Sequence, residues 1–474
     1  MRFRRFLPIR RRWPTLQTIL SLWFSVACFA NAHAQTNFTI LKSFGTLPGA
    51  AVPFGGLVAD SNLVLYGTTV AGGVATQGVV FSIHSDGTGY STVKEFVGST
   101  NPMTPYGELT LGHDGRLYGT SYSGGISNFG TVFGLNTDGS GFAVLHSFTG
   151  GADGKNPKVG LTEASDGTLY GVTYFANSAD RGTIFKINKD GTGYSVMHVF
   201  TGNPDGQQVQ CKLLEGSDGA LYGTTQYGGT TTAGTIFTIN KNGTGYGILF
   251  NLGSVTAGGY IASSGVIEGS DHFLYGTTGL GGGTGNQGTL YKVDKYGGNY
   301  QVLQRFPQNS SAGGSAGGGL IEGANGMIYG LTQHGGIESE GTVFCINEDG
   351  SGYAILLNFL NSGADINQPV SPLLQLPNGI FYGTVPYGGP ESTGGIYALS
   401  QSPFPPRLSL PSISAGSNVF QVSATSYIQY DVQRSTNLSS WDTLGTLLSP
   451  VGGQTNYSDT TPPSSAAFYR LHQH

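Results

Sequence analysis

Short apolar runs recur at a regular spacing between residues 38 and 400. The clearest run, Leu-Tyr-Gly-Thr-Thr or a close variant, occurs seven times. Its Tyr-Gly pairs begin at positions 66, 118, 170, 222, 275, 329 and 382, so consecutive copies lie 52 to 54 residues apart. A period near 50 that holds several short strands indicates a β-propeller rather than a solenoid.

The apolar runs and turn residues of each repeat predict four strands, which we label A to D in chain order. In the third copy they are Val159–Glu163 (A), Leu169–Thr173 (B), Thr183–Ile187 (C) and Tyr194–Phe200 (D). Asx-Gly pairs predict tight turns between A and B and between C and D. Strand C is almost continuously apolar, as expected for a strand covered on both faces. In the Tyr-Gly pair we expect Tyr to pack between blades and Gly to allow close approach of backbone.

The number of D strands predicts how the ring closes. Six of them follow a strand C, but the seventh strand C leads directly to Pro403. A segment with the D pattern, Phe38–Phe44, precedes the first strand A instead. We therefore predict an all-β, seven-bladed propeller over residues 35–402, in which the N-terminal strand becomes the outer strand of the last blade. Such closure removes an exposed sheet edge.

The unit Asp-Gly-x-Leu-Tyr-Gly-Thr-Thr, followed by Gly-Gly, Gly-Thr-Ile-Phe-x-Ile and Asp-Gly-Thr-Gly-Tyr, resembles the GloVer tandem repeat of secreted bacterial proteins. The resemblance covers about residues 38–400. It implies secretion and a repeat architecture, and it transfers no catalytic residue.

The C-terminal region, residues 403–474, predicts a linker followed by a small β-sandwich. Pro403, Pro405, Pro406 and Pro411 indicate a semi-rigid spacer. Short alternating runs follow, and those around Tyr430–Leu438 and Phe468–Leu471 resemble fibronectin-III-like modules.

The first 34 residues predict a secretory signal peptide. Met1–Arg12 carries six Arg, Leu16–Ala30 is mostly apolar, and Ala32-His33-Ala34 places small residues at a cleavage site. An uncleaved anchor and lipidation at Cys28 are the alternatives. Cleavage would change the net charge from −5 to −11, because six Arg are lost. We expect a secreted or cell-surface protein without a transmembrane span in the mature chain, and a surface this acidic disfavours nucleic acid as a partner.

Four glutamates occupy one equivalent position in strand A of consecutive blades: Glu163, Glu215, Glu268 and Glu322. Since strand A is the innermost strand, these side chains are candidates for an axial metal site, with calcium as the candidate ion. The alternative is that each carboxylate accepts hydrogen bonds from nearby backbone or hydroxyl groups. No other cofactor is indicated.

The loops between strands B and C and between D and A share one face of a propeller, and they differ most between copies. Such variation on a rigid frame is typical of a binding face. The candidate ligand-binding residues there are Tyr122, Tyr174, Tyr227, His334, Tyr387, Asp153, Asp205 and Asp365, with Phe175 beside them. Tyrosine rings suit stacking on sugars, with Asp as hydrogen-bond acceptors. The alternative is that the rings fill blade tops and the Asp residues cap turns.

His146 and His198 are equivalent in strand D of adjacent blades, where other copies hold Lys, Phe, Gln or Leu. This variety predicts a solvent-facing position and argues against a metal or catalytic role. Cys211 and Cys345 are not equivalent, which predicts two isolated thiols.

No linear catalytic fingerprint occurs in the chain. The sequence therefore favours a non-enzymatic binding or scaffold protein that presents the loop face to extracellular polysaccharide or to an envelope protein. One alternative is a carbohydrate-active hydrolase or lyase that uses the channel carboxylates. Another is a structural envelope protein without a discrete ligand.

Overall fold

The computed structural model describes residues 36–45, 49–176, 181–253, 258–283, 285–306, 313–361 and 365–401, together with parts of 407–473. The predicted signal peptide lies outside the described residues. All regular secondary structure in the described residues is β-strand.

Seven antiparallel sheets with the order A-B-C-D form the seven predicted blades. Strand A is Val58–Ala59, Thr110–Leu111, Thr162–Glu163, Leu214–Glu215, Ile267–Glu268, Ile321–Glu322 and Leu374–Gln375. Strand B is Val64–Thr69, Arg116–Ser121, Leu169–Thr173, Leu221–Thr225, Leu274–Leu280, Met327–His334 and Phe381–Val385. Strand C is Val79–His84, Thr131–Asn136, Thr183–Ile187, Thr235–Ile239, Thr289–Val293, Thr342–Asn347 and Gly395–Gln401. Strand D is Ser91–Glu95, Ala143–Ser147, Ser195–Val199, Gly247–Asn251, Gln301–Arg305 and Ala354–Asn358 in blades 1 to 6.

The N-terminal strand closes the ring, as predicted. Thr36–Ser43 pairs antiparallel with Gly395–Gln401 and so forms strand D of blade 7. Phe38 packs edge-on against Phe359 of blade 6, with ring centroids 6.0 Å apart. On the other side of blade 7, the Thr384 hydroxyl donates to the Gly55 carbonyl of blade 1 at 2.8 Å.

The Tyr-Gly motif builds the contacts between blades. Tyr118 is fully buried in a cluster with Phe148 of its own blade and Leu169 of the next one. Gly119 is opposite Phe133 in the sheet register, and an added Cβ there would lie 2.5 Å from the Phe ring. The expectation of close backbone approach is therefore wrong: the glycine makes room for an aromatic ring from strand C.

The C-terminal region contains two antiparallel sheets. Ser417–Ser423 pairs with Arg407–Leu408, Ser412–Ser414 and Gln454–Asp459, and Gln429–Ser435 pairs with Asp442–Leu448 and Phe468–Gln473. An ion pair between Arg434 and Asp459, at 2.9 Å, links the two sheets. The sandwich arrangement and the domain boundary stay predictions.

Cys211 and Cys345 are buried, unpaired thiols, as expected. Burial raises the pKa of both. The part of the chain that the structure describes contains no helix of the length and apolarity that crossing a membrane requires.

Candidate functional site

On the loop face, the backbones of the B–C and D–A loops pair with each other, which the strand prediction did not include. We call this pairing the frame of the loop face. In every blade, the second residue after the Leu-Tyr-Gly-Thr-Thr run pairs with a residue of the D–A loop. The pairs are Ala71–Ala51, Ser123–Met103, Phe175–Lys155, Tyr227–Gln207, Leu280–Tyr260, His334–Gly314 and Tyr387–Asn367. The two loops of each blade are therefore joined by sheet-like pairing.

The residue that follows each D–A member of these pairs adopts a left-handed conformation. These seven residues are Val52, Thr104, Asn156, Gln208, Ile261, Ser315 and Gln368, with φ between 50° and 62°. Left-handed φ is costly for β-branched residues. Here the conformation lets the backbone serve two blades. The Thr104 N–H donates to the Gln77 carbonyl of the preceding blade at 3.0 Å, and its carbonyl accepts from the Tyr122 N–H of its own blade at 3.1 Å.

Because backbone groups fix these loops, their side chains can vary without loss of the frame. The N–H group of the left-handed residue donates to the preceding blade in all seven copies, including Val52 to Thr393 across the ring closure at 2.9 Å. A frame of this kind presents side chains in fixed positions, which lowers the entropic cost of binding.

Aromatic side chains form a continuous arc around one half of the channel mouth, which we call the aromatic arc. It runs from Tyr387 to Phe54 (ring centroids 6.1 Å apart), to Tyr106 (5.1 Å) and to Tyr122 (5.7 Å). Tyr387 is 40% exposed, whereas Phe54, Tyr106 and Tyr122 are half-buried. Burial raises the pKa of the Tyr106 phenol.

Lys158 and Tyr174 continue the arc into blade 3. The Lys158 ammonium lies 3.7 Å from the centroid of the Tyr174 ring and 5.8 Å from that of Tyr122. The Tyr174 hydroxyl donates to Gln208 at 3.0 Å, which fixes the ring at the edge of the loop. In blades 4 to 7, the positions equivalent to Phe54, Tyr106 and Lys158 hold no aromatic or charged residue, since they are Gln210, Ser263, Gly317 and Val370.

A polar cavity of about 520 Å³ adjoins the Tyr387 end of the arc, and we call it the blade 7 cavity. Its lining includes Glu340, Asp365, Asn367, Gln368 and Tyr387. The Gln368 side chain donates to the Glu340 carboxylate at 3.2 Å. Carboxylates, amides and an exposed ring are the groups that recognise sugar hydroxyls and sugar faces.

An ion pair lies at the bottom of the mouth. The Lys212 ammonium of blade 4 contacts the Glu108 carboxylate of blade 2 at 2.7 Å. The equivalent residues of the other blades are Gly56, Gly160, Gly265, Gly319 and Pro372. At this position the seven blades therefore contribute four glycines, one proline and one compensated charge pair, and Gly56 lies close to both Glu108 and Pro372.

The structure brings together some of the predicted ligand-binding residues and separates others. Tyr122, Tyr174 and Tyr387 belong to the arc, and Asp365 joins Tyr387 in the blade 7 cavity. Tyr227 lines a second cavity of about 530 Å³, together with Arg181, Thr201, Asn203 and Gln207. His334 is exposed beside the loop pairing of blade 6.

Asp153 and Asp205 hold their own loops to the outer strand. The Asp205 carboxylate accepts from the Thr201 N–H at 2.9 Å and contacts His198 at 3.1 Å. Asp153 makes the equivalent contact with the Thr149 N–H at 2.8 Å. These geometries match the turn-capping alternative.

The expectation that His146 and His198 face solvent is wrong. The His146 ring stacks on Tyr194 of the next blade at 3.7 Å with planes 3° apart, and His198 stacks on Tyr246 in the same way. About a fifth of each histidine side chain is exposed. Burial lowers the pKa of His146. Variation at this position did not reveal the stacking, because different residues can fill the same place between two blades. Phe250, for example, occupies the equivalent position and stacks on Tyr300.

The strand A glutamates lie on the other face, which carries the A–B and C–D turns and which we call the turn face. The Glu215 carboxylate accepts from the Ser165 N–H and hydroxyl of the preceding blade at 2.7 and 2.6 Å. It also binds Lys241 of its own blade at 2.6 Å. Glu163 and Glu268 make equivalent contacts with Lys189 and Lys295.

Burial acts upwards on the pKa of each of the three carboxylates, but these contacts outweigh it and lower the pKa. For Glu268, burial is the largest influence and acts upwards, but the hydrogen bonds from Lys295, Ser217 and His272 together outweigh it and bring the pKa to about 2. The carboxylates are thus bound one by one between blades, as the hydrogen-bonding alternative expected. Within the described residues no three His, Cys, Asp or Glu side chains converge in a metal-binding arrangement.

Blade 6 departs from this scheme. Its residue equivalent to the lysines is Glu348, whose carboxylate accepts from the Ser270 hydroxyl of blade 5 at 3.1 Å. Glu348 therefore takes the place that Glu322 would fill. Within the described part of the chain, Glu322 forms no ion pair.

Several residues of the arc were missing from the sequence-based candidates. Phe54, Tyr106, Lys158 and Glu108 all precede strand A, in the segments Pro53–Gly56, Pro105–Glu108 and Pro157–Gly160. The position of Phe54, Tyr106 and Lys158 holds a different residue in every blade, and this variation is the signal that could have found it.

The fold and the arc together define a closed repeat propeller with one variable face. A family model for the Gloeobacter/Verrucomicrobia repeat matches residues 25–209, 136–322 and 212–404. These matches span most of the chain, and the protein belongs to this repeat family. No curated protein matches the chain.

Solved propellers share the fold at low identity. An oligogalacturonate lyase from Vibrio parahaemolyticus is 11% identical, with 78% of this chain and 95% of that chain covered and a TM-score of 0.52. A xyloglucanase of family GH74 from Xanthomonas campestris is 13% identical, with 83% and 60% covered and a TM-score of 0.50. Such likeness concerns the fold alone.

Proposed function

We propose that the protein is a non-enzymatic binding scaffold of the cell exterior, and that its loop face binds a glycan. The observation that carries the proposal is the aromatic arc with the blade 7 cavity at its end. Rings from Tyr387 to Tyr174 give a curved surface on which several sugar rings can stack in succession. The rings are held at fixed spacing, because the backbone pairing beneath them does not depend on side chains.

The ion pair between Glu108 and Lys212 supports a ligand that lies across the face rather than one that enters the channel. A ligand in the channel would have to separate two charges that contact at 2.7 Å. The carboxylates of the blade 7 cavity supply acceptors for hydroxyl groups at one end of the arc. Residues on this face differ between blades, so each blade offers a different chemistry.

Binding to an array of extracellular polysaccharides, followed by calorimetry with the best oligosaccharide, tests the proposal. Tyr106→Ala and Tyr122→Ala should each weaken binding by about tenfold, as loss of a central aromatic contact does. Tyr296→Ala is the matched control, because Tyr296 is 94% exposed but lies in the C–D turn of blade 5 on the turn face. Equal affinities for all four proteins would contradict the proposal, as would the absence of binding to every polysaccharide.

A carbohydrate-active enzyme is the second candidate. The expected catalytic pair, Glu163 and Glu215, does not support it, since each carboxylate is held separately by a lysine on the turn face. The observation in its favour is that Glu340 and Asp365 line one cavity, as a pair of acid–base catalysts would. Release of new reducing ends or of unsaturated products from the bound polysaccharide, abolished in Glu340→Gln, would establish this alternative.

A further inference from the structure

Lys158 differs from several other lysines of the propeller in its partners. Lys189, Lys212, Lys241, Lys292 and Lys295 each lie within 4.0 Å of a carboxylate. Within the described residues Lys158 has no carboxylate partner, and its recorded contacts are with the Tyr174 and Tyr122 rings. Its side chain is half-buried, and burial lowers its pKa.

The charges of the loop face are therefore distributed unevenly. Glu340 and Asp365 line the blade 7 cavity at one end of the arc. At the mouth, Glu108 is already compensated by Lys212 at 2.7 Å. Among the residues that the structure describes, this leaves the Lys158 ammonium without a carboxylate partner, between two aromatic rings at the other end of the same arc.

We propose that the glycan residue bound at Tyr122 and Tyr174 is an acidic sugar, whose anionic group is bound by Lys158. The inference rests on the proposed glycan-binding function and adds the ligand class to it. A pyranose that stacks on these rings would bring its substituents next to the ammonium. A hydrogen bond from a cation to an anion is about twice as strong as a neutral one.

Because the whole chain is acidic, binding of an anionic glycan would depend on the local positive charge of Lys158. The formal net charge is −5, so long-range attraction does not draw an anionic glycan to the surface. The carboxylates of the blade 7 cavity also repel an anion at that end. A glycan with one acidic residue would consequently bind in one orientation, with its anionic group beside Lys158, between blades 2 and 3.

Calorimetry on the full chain with matched oligosaccharides tests the proposal. The probes are hexasaccharides of glucuronic, mannuronic and galacturonic acid, each beside its carboxyl-reduced counterpart, and a sulfated neutral hexasaccharide. The wild type should bind at least one acidic or sulfated probe about tenfold more tightly than the neutral form, and the difference should shrink as salt is raised. Whether the carboxylate probes or the sulfated probe bind with the higher affinity identifies the anionic group.

Three variants assign that preference to Lys158. Lys158→Gln should remove the tenfold difference, and Lys158→Arg should retain most of it because the charge is kept. Lys94→Gln is the matched control, since Lys94 also lies on an aromatic ring, Phe142 at 4.7 Å, but on the outer strand. A melting curve for each variant verifies folding, and Lys158→Arg provides the comparison if Lys158→Gln unfolds.

The two proposals fail in different ways. Equal affinity for acidic and neutral probes, or an undiminished difference in Lys158→Gln, would overturn the acidic-sugar inference and leave glycan binding in place. Loss of affinity in Lys158→Gln for neutral and acidic probes alike would show that Lys158 only supports the tyrosine rings. Absence of binding to all probes and polysaccharides would overturn both proposals.

Discussion

The two faces of the propeller use side chains in opposite ways. On the turn face, the same chemistry is repeated from blade to blade: a strand A carboxylate binds the preceding A–B turn and a lysine of its own blade, as Glu215 binds Ser165 and Lys241. On the loop face, backbone hydrogen bonds make the equivalent connection, as between Thr104 and Gln77. Many loop-face side chains are consequently not needed to hold the frame, and the position of Phe54, Tyr106 and Lys158 holds a different residue in every blade.

This difference explains where function should be sought in a repeat propeller. A residue type that recurs at one position usually fixes a blade to its neighbour, and the recurring glutamates illustrate this. Where one position holds different residues in different blades, as with Phe54, Tyr106 and Lys158, the connections between blades do not require a particular side chain. Three predictions test the division, in order of decreasing effect.

Removal of residues 36–44 should destabilise both faces together, because the closing strand belongs to the frame that they share. The strand pairs with Gly395–Gln401 and buries Phe44, and loss of a buried Phe alone costs about 3–5 kcal/mol. We expect a much lower unfolding midpoint by circular dichroism, with loss of ligand binding at the same temperature. Thr39→Ala, at an exposed position of the same strand, is the control. An unchanged midpoint in the truncated protein would show that closure is not needed.

Glu268 should stabilise the frame in a pH-dependent way. Its folded pKa of about 2 lies below the ordinary value of 4.5, so its contribution is complete above about pH 4.5 and is lost as the pH falls towards 2. Glu268→Gln should therefore lower the free energy of unfolding by about 1–3 kcal/mol at pH 7, after allowance for solvent screening, and by much less at pH 2.

Glu322→Gln is the matched control for this measurement. It changes the same strand position in blade 6, where Glu348 replaces the lysine. Urea unfolding at pH 7 should leave its stability close to that of the wild type. If Glu268→Gln and Glu322→Gln behave alike, the ion pairs of the turn face do not hold the blades together.

Tyr291 and Tyr397 should respond to loss of a hydroxyl group with a gain of stability. Both occupy the strand C position that holds Phe in the other five blades, and each has a buried hydroxyl without a hydrogen-bond partner in the described structure. Tyr291→Phe and Tyr397→Phe should each stabilise the protein by about 1 kcal/mol in urea unfolding. Tyr170→Phe should do the reverse, because the Tyr170 hydroxyl donates to Asp166 at 2.8 Å. Destabilisation by all three changes would contradict the packing argument.

Much of the frame was predictable from the sequence, because each blade is built from local hairpins. Strand order, blade number and the closing role of Phe38–Phe44 follow from counting short apolar runs and turns. The candidate site was predicted only in part. Tyr122, Tyr174 and Tyr387 belong to the arc, whereas Asp153 and Asp205 hold their own loops on the outer strand.

The remainder depends on contacts between residues far apart in the chain. Glu108 and Lys212 meet across the axis although 104 positions separate them. Similarly, the stacking of His146 on Tyr194 arises only when two blades come together.

The sequence by itself determined the number of blades, their strands and the way the ring closes, since these rest on periodicity and turn chemistry within about fifty residues. Only the tertiary structure showed which side chains connect neighbouring blades and which form the exposed surface of the loop face. Ring closure brings equivalent positions of different blades around one axis, and it thereby turned the recurring glutamates into links between blades. The same geometry gathered Phe54, Tyr106, Tyr122 and Lys158, scattered over more than one hundred positions, into one surface.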